Sequence, residues 1–330
     1  MNLKGVDIIS FKKVPKFTKK IFKLNMVKNA LSNYWQIPVM VAKGDEGPIV
    51  GVTAAIHGNE LNGIPIIHQL WNQIEVNELK GTLVLVPVVN IPGFLNKERE
   101  FNDGVDLNRI LPGKKNGTSS EVYAFKITNK LIKKFDYLID LHTASFGRIN
   151  SLYVRADMSN EITARMAELQ EPEIIVNHPG AEGTMRREAQ KNGIHAITVE
   201  VGDPHLFQKK HIRSSIFGLT NVLLDLGMIT GEKEEIAHDA VVCQKSYWIY
   251  AQNGGILRVF PSLTNRLEKG DVLAEISDIY GEVLEQIFAP EDSIVVAKAT
   301  DPVCQVGSRV IHLGVIWNDY EEASDCLSDY

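Results

Sequence analysis

Short apolar runs alternate with helical patterns from Trp35 to Leu226, and this alternation constrains the chain more than any other feature. Such runs are buried by an α/β layer structure built on one large sheet. Strands are expected over residues 36–42, 49–56, 82–89, 137–142, 152–155, 173–176 and 194–201. Residues 82–89 carry almost no polar side chain, the pattern of a strand covered on both faces. Lys43-Gly44-Asp45-Glu46-Gly47, between the first two strands, has the composition of a hairpin turn and predicts a mixed sheet, mostly parallel, with helices on both faces.

The helix ends are also legible. Thr118 and Glu121 have capping-box spacing, and Ile212, Ile216, Leu219, Leu223 and Leu226 mark an amphipathic helix stopped by Gly227. Residues 90–117 hold Pro92, Gly93, Gly104, Pro112 and Gly113 with little periodicity, and a stretch of that length usually forms a working loop. The acidic run Gly231-Glu-Lys-Glu-Glu235 marks a boundary, beyond which short β-type runs at 241–251, 255–260, 272–277, 282–289, 293–299 and 309–313 predict a small all-β domain. The expected division is a basic N-terminal extension (1–30), a catalytic domain (31–232) and the β domain (233–330).

Composition narrows the function classes. The 330 residues suit one large and one smaller unit, and the net charge of -6 disfavours nonspecific binding to nucleic acid. No apolar run approaches the roughly 20 residues that span a bilayer, so no membrane partner is expected. The lysines at 12, 13, 16, 19, 20, 23 and 28 are read as a solvated face. The opening residues lack signal-peptide character, so a cytoplasmic address is expected and Asn116-Gly-Thr118 is not read as a glycosylation site. Cys243, Cys304 and Cys326 are too scattered for a disulfide framework or a thiolate metal site.

The chemistry concentrates at strand ends. His57 and Glu60 lie three residues apart where a strand runs into a turn and a helix, and His142 ends another strand. Two imidazoles and one carboxylate make a catalytic zinc shell that leaves a position for water, and α/β sheets bind ligands at the carboxyl ends of their strands. Asp140 shares a strand face with His142 and is expected to orient it. Glu200 ends an apolar strand, where partial burial raises a carboxylate toward use as general base and acid. Asn108 and Arg109 are suited to gripping a substrate carboxylate, and Arg99 lies in the same loop. Arg186 and Arg187 either hold a second carboxylate or face solvent, with Arg187 taken as the substrate-binding candidate. His68 is expected to pack on its helix, and His178, His195, His205 and His211 are placed on loops or edges, outside the ligand shell.

His57-Gly-Asn-Glu60, Asp106-Leu-Asn-Arg109, Asp140-Leu-His142 and Val199-Glu-Val-Gly202, in this order, resemble the succinylglutamate desuccinylase/aspartoacylase family, itself related to zinc carboxypeptidases. The resemblance implies one zinc per chain on His57, Glu60 and His142, with Glu200 as general base and acid. It further implies Asn108 and Arg109 as the substrate carboxylate clamp and Arg99 as the carbonyl-polarising group. The implied reaction is hydrolysis of a small anionic N-acyl amino acid, of N-acetyl or N-succinyl type. Ile110-Leu-Pro-Gly113 departs from the Phe-Pro-Gly that often follows the Asn-Arg pair, and Tyr280 is the candidate for the tyrosine that aspartoacylases supply from the β domain. A carboxypeptidase acting on short peptides, and a catalytically silent binding member of the family, are the alternatives. Oligomeric state stays open, a homo-oligomer included.

Overall fold

The computed structural model describes residues 3–231 and 239–317. Its main sheet has fourteen strands. In spatial order these are Gly5–Val6, Thr18–Lys28, Tyr34–Lys43, Lys80–Val86, Asp45–Ala54, Tyr137–His142, His195–Val201, Leu152–Ala156, Ile174–Asn177, Val241–Tyr250, Arg309–Ile316, Ser293–Ala299 and Arg266–Leu267, with Arg148–Asn150 paired to Ser293–Ala299 off this path. The sheet is mixed as expected: Asp45–Ala54 is parallel to both its neighbours, and His195–Val201 is parallel to Tyr137–His142 and antiparallel to Leu152–Ala156.

One expectation about pairing fails. Tyr34–Lys43 and Asp45–Ala54 do not form a hairpin, because Lys80–Val86 lies between them, antiparallel to the first and parallel to the second. The chain does turn at Gly44, but the turn crosses the start of that strand, with Gly44 N–H donating to Gly81 O and Asp45 N–H to Leu79 O. The apolar Lys80–Val86 strand needs a covered, central position, and this demand overrides the local preference for a tight hairpin.

Helices pack on both faces. One core joins Val50, Val52, Ile139, Leu141, Ile197 and Val199 to Ile66 and Leu70 of Gly63–Gln73 and to Leu219 and Leu223 of Lys209–Asp225. The other joins Leu138 and Ala196 to Tyr123 and Ile127 of Ser119–Lys130 and to Met185 and Ala189 of Met185–Lys191. The capping box at Thr118 and Glu121 forms as read, and Gly227 follows the long helix with a positive φ of 64°. His68, expected to pack, is exposed, because the buried stripe of its helix runs through Gly63, Ile66, Ile67 and Leu70.

The lysine-rich segment is no appendage. Thr18–Lys28 pairs antiparallel with Tyr34–Lys43, and Leu24 and Met26 are fully buried in the second core. Its lysines use their outward positions: Lys16 pairs with Asp45 at 2.8 Å, and Lys19 lies over the Trp71 ring. The C-terminal part is likewise less separate than expected. Val241–Tyr250 pairs in parallel with Ile174–Asn177, so the main sheet continues into it, while Val283–Phe288, Val272–Ser277, Gly255–Val259 and Val303–Cys304 form a second, antiparallel sheet over a third core. The boundary read at 232/233 and Cys326 lie outside the described residues; Cys243 and Cys304 are free and buried. Among the described residues no helix is long and apolar enough to cross a membrane.

If the N-terminal strand belongs to the cooperative core, Leu24→Ala costs about 2–5 kcal/mol, the usual range for emptying a buried leucine site. Urea unfolding followed by circular dichroism measures this, and an unshifted midpoint would show that the segment is dispensable.

Candidate active site

The strands that carry the site are held in register. Thr53, Asp140 and Thr198 lie on one rung of three adjacent parallel strands, and Glu200 lies opposite His142 two residues further on. Period-two alternation then places Asp140, His142, Thr198 and Glu200 on one face. Nearer the amino ends that face is apolar, with Leu138 and Ala196 in the core. Only its carboxyl end is polar. The neighbouring strand Asp45–Ala54 stops two residues short of the expected end, and Ala55, at a φ of 51°, turns the chain so that His57 and Glu60 reach the same point.

His57, Glu60 and His142 are buried, and their ligand atoms lie within 4.8 Å of one another. Each imidazole is backed by a carboxylate on its far side. His57 Nε2 is 3.1 Å from Asp106 Oδ1, and His142 Nε2 is 2.7 Å from Asp140 Oδ2, whose other oxygen accepts from Thr53 Oγ1 at 2.6 Å. A carboxylate can only accept, so both Nε2 atoms donate outward, and both Nδ1 atoms are turned inward. There they meet Glu60: His57 Nδ1 is 2.8 Å from Oε1 and His142 Nδ1 is 3.0 Å from Oε2. His57 Nδ1 is buried and makes no hydrogen bond despite that short distance. Two imidazole nitrogens and a carboxylate thus converge on one buried point. A metal ion fits this donor set, which has the imidazole and carboxylate chemistry of catalytic zinc sites and an outer carboxylate behind each histidine.

The electrostatics agree. Burial alone would raise the Glu60 carboxyl, but His57 and His142 outweigh it and hold the group well below the usual carboxylate range. Burial likewise pushes His142 down, yet Asp140 and Glu60 win and hold it well above the ordinary imidazole value. Asp106 is resisted by burial and still held well below its ordinary value by His57, Arg99 and Arg109.

Arg99 ties the site to the loop read as a working one. Its Nη1 donates to Glu60 Oε1 at 2.9 Å and Ser145 Oγ at 2.7 Å, while Nε and Nη2 grip Asp106 Oδ2 at 3.2 and 3.0 Å. Asn108 and Arg109 sit on a short 3₁₀ turn capped by Asp106. Asn108 Oδ1 accepts from Met185 N at 2.7 Å, which leaves the amide NH₂ as its donor toward a ligand. Glu200 accepts from Asn150 Nδ2 at 3.1 Å and lies 3.6 Å from Arg155 Nε. Burial raises its carboxyl, and the charge of Glu60 adds to this against the pull of His142 and Arg155.

His57, Glu60, His142, Arg99, Asn108, Arg109 and Glu200 line one cavity of roughly 320 Å³, and Asp106 and Asp140 do not. Arg187, read as substrate-binding, does not line it; its Nε turns to Glu182 at 3.3 Å. Arg186 does instead, is buried, and donates through Nη1 to the carbonyl of His178. The helix Met185–Lys191 decides this, since neighbouring positions on a helix point about 100° apart and only one can face the cavity. Tyr280 stands 89% exposed on a turn of the second sheet, away from the cavity. His178 lines the wall through a loop, while His195 and His205 pack beside Tyr137 and Phe146.

Sequence reading missed Asp106 as the carboxylate behind His57, although its place two residues before Asn108 in the working loop was a signal. It also missed Arg148, Arg155, Trp248, Arg309 and His312, whose strands reach the site only through pairing distant in sequence.

A buried His-Glu-His triad able to hold a metal ion at the carboxyl end of a sheet, with a raised carboxyl one strand away, is an arrangement suited to hydrolysis. Comparison with known proteins identifies it further. The model of the succinylglutamate desuccinylase/aspartoacylase catalytic domain matches residues 46–226, and the chain belongs to that family of deacylases. A curated relative, the N-alpha-acetyl-L-2,4-diaminobutyric acid deacetylase of Halomonas elongata, is 22% identical over 289 residues, 83% of this chain and 84% of that one. Two solved structures share the fold. A succinylglutamate desuccinylase/aspartoacylase from Rhodobacter sphaeroides superposes with a TM-score of 0.83 at 22% identity, over 94% of this chain and 98% of that one. The product-bound ectoine utilization protein EutE (DoeB) from Ruegeria pomeroyi superposes at 0.82 and 21% identity, over 92% and 98%.

Asp140→Asn keeps the shape but weakens the acceptor that orients His142, so metal affinity falls about 10–100-fold. Competition between the protein and a chromophoric chelator for Zn²⁺ measures this, and unchanged affinity would remove Asp140 from the site.

Proposed function

We propose that the chain is a zinc-dependent amidohydrolase that releases the free amino acid from a small anionic N-acyl amino acid of the N-acetyl or N-succinyl type. One observation carries the reading: two inward imidazole nitrogens and a buried carboxylate meet beside Glu200, which the sheet register holds one strand away. The printed activity of the Halomonas elongata relative, a deacetylase of an N-acetylated amino acid, supports the substrate class.

Zinc, when bound by His57, Glu60 and His142, polarises a carbonyl oxygen and lowers the pKa of its water from 15.7 to about 7. The residues of the chain supply the rest. Glu200, unusually basic for a carboxylate, takes the proton from the attacking water and hands it to the leaving nitrogen, which departs as an amine. Arg99 stabilises the charge that grows on the carbonyl oxygen, and Glu60 and Asp106 hold its guanidinium in place. Arg109 and the Asn108 amide grip the α-carboxylate and fix the amide bond over the metal site. Ser246, Tyr247 and Trp248 of Val241–Tyr250 and Arg309 and His312 of Arg309–Ile316 wall the cavity on its C-terminal side, which favours a small substrate over a peptide.

Glu200→Gln is expected to retain zinc at one equivalent per chain while kcat falls about 10²–10⁴-fold, the usual worth of a positioned general base. Release of free amine from a panel of N-acetyl and N-succinyl amino acids, with and without a chelator, reads both points together. Turnover that survives the chelator would sink the metal mechanism.

A further inference from the structure

The proposed reaction needs Glu200 to keep one carboxylate oxygen toward the attacking water, and its strand alone does not secure this. Register fixes the Cα of Glu200 opposite that of His142, but three rotatable bonds separate that Cα from the carboxylate. A general base works only within hydrogen-bond reach of the proton it takes. Some neighbour has to hold the side chain.

Asn150 stands in the place to do so. It is buried, lines the same cavity, and donates from Nδ2 to Glu200 Oε2 at 3.1 Å. Arg155 approaches the other oxygen only to 3.6 Å and donates through Nη2 to the Tyr153 hydroxyl at 2.8 Å. The kind of donor matters here. A neutral amide orients a carboxylate without the full positive charge that would make it a poor proton acceptor.

Asn150 is itself pinned from two directions. Its backbone N–H donates to Asp203 Oδ1 at 3.3 Å, Asp203 Oδ2 accepts from Gln208 Nε2 at 2.9 Å, and the Gln208 N–H donates to Asn62 Oδ1 at 3.0 Å. Asn62 lies two residues after Glu60 and donates through Nδ2 to the carbonyl of Val201, the residue after Glu200, at 2.7 Å. This chain of hydrogen bonds ties the turn that carries the candidate metal ligands to the residue that touches the base. From the other direction, Asn150 pairs in register with Ala297 of Ser293–Ala299, and Ser151 N–H donates to Val296 O at 3.1 Å.

We propose that Asn150 is the positioning residue of the general base: its amide holds Oε2 of Glu200 and leaves Oε1 to take the proton of the attacking water. The inference rests on the deacylase reading and adds to it a task for the C-terminal strands. By pairing with Arg148–Asn150 they hold the amide against the catalytic sheet.

The test is a double-mutant cycle on the full-length, zinc-loaded protein, read with whichever of N-acetyl-L-glutamate and N-succinyl-L-glutamate the wild type cleaves faster. Asn150→Ala should keep its zinc and its KM while kcat falls about 10- to 100-fold, the scale of a misplaced catalytic group. In the Glu200→Gln background the same substitution should change kcat by less than about twofold, because no base is left to position. Asn150→Ser, with a shorter donor, should fall between, and it carries the comparison if the alanine variant does not fold. An unchanged kcat, a loss carried by KM, or a loss of equal size in both backgrounds overturns the proposal. Crystal structures of the zinc-loaded wild type and Asn150→Ala decide the point without turnover, so a wild type inactive on both substrates counts against the deacylase reading alone. The Glu200 carboxylate should leave its wild-type position or lose its order once the amide is gone, and a carboxylate that stays in place rejects the positioning role.

Discussion

A buried carboxylate that no single neighbour satisfies is the constraint on which this structure turns. Glu60 is almost wholly removed from water, and it is held by groups from three separate stretches of chain: His57 in its own turn, Arg99 in the long loop, and His142 at a strand end with Thr143 and Ser145 just beyond. Removing an ionised carboxylate from water costs several kcal/mol unless charges and donors replace the solvent. Those replacements fix the loop against the sheet, and the loop in turn brings Asp106, Asn108 and Arg109 to the cavity.

The sheet supplies the precision. Adjacent parallel strands cannot slip by one residue without turning Leu138, Ile139 and Leu141 to the wrong layers, so the apolar halves of the strands lock the register in which the polar halves meet. Stability and chemistry therefore occupy the same strands at different heights. The C-terminal strands add a wall that is cationic and aromatic, and the balance of charge in the cavity follows from both parts of the chain: Glu60 and Glu200 on one side, guanidiniums on the other.

Much of this was readable in the sequence where the signal is local. The ligand triad, the carboxylate on the His142 strand face and the acid opposite it follow from strand ends and period-two alternation, and the capping box at Thr118 and the stop at Gly227 follow from helix-end chemistry. The errors share another cause. A Gly- and Asp-rich turn after Tyr34–Lys43 specifies that the chain reverses, not which strand it then lies against. The run of lysines hid Leu24 and Met26, whose alternation marks an inserted strand. At Arg186 and Arg187 two identical side chains were separated only by which of them the helix turned inward.

Local pattern thus determined which segments become strands and helices, and that two imidazoles and a carboxylate able to hold an ion lie at the centre of the site. Tertiary structure alone decided that Asp106 backs His57, that the N-terminal strand closes one flank of the sheet, and that Arg148, Trp248, Arg309 and His312 share one wall. The physical reason is that strand order and cavity walls depend on pairing between residues as much as 151 positions apart, as for Arg148 with Ala299, or 64 apart, as for Trp248 with His312. That choice is made by burial of whole apolar faces, and no short window of sequence contains it.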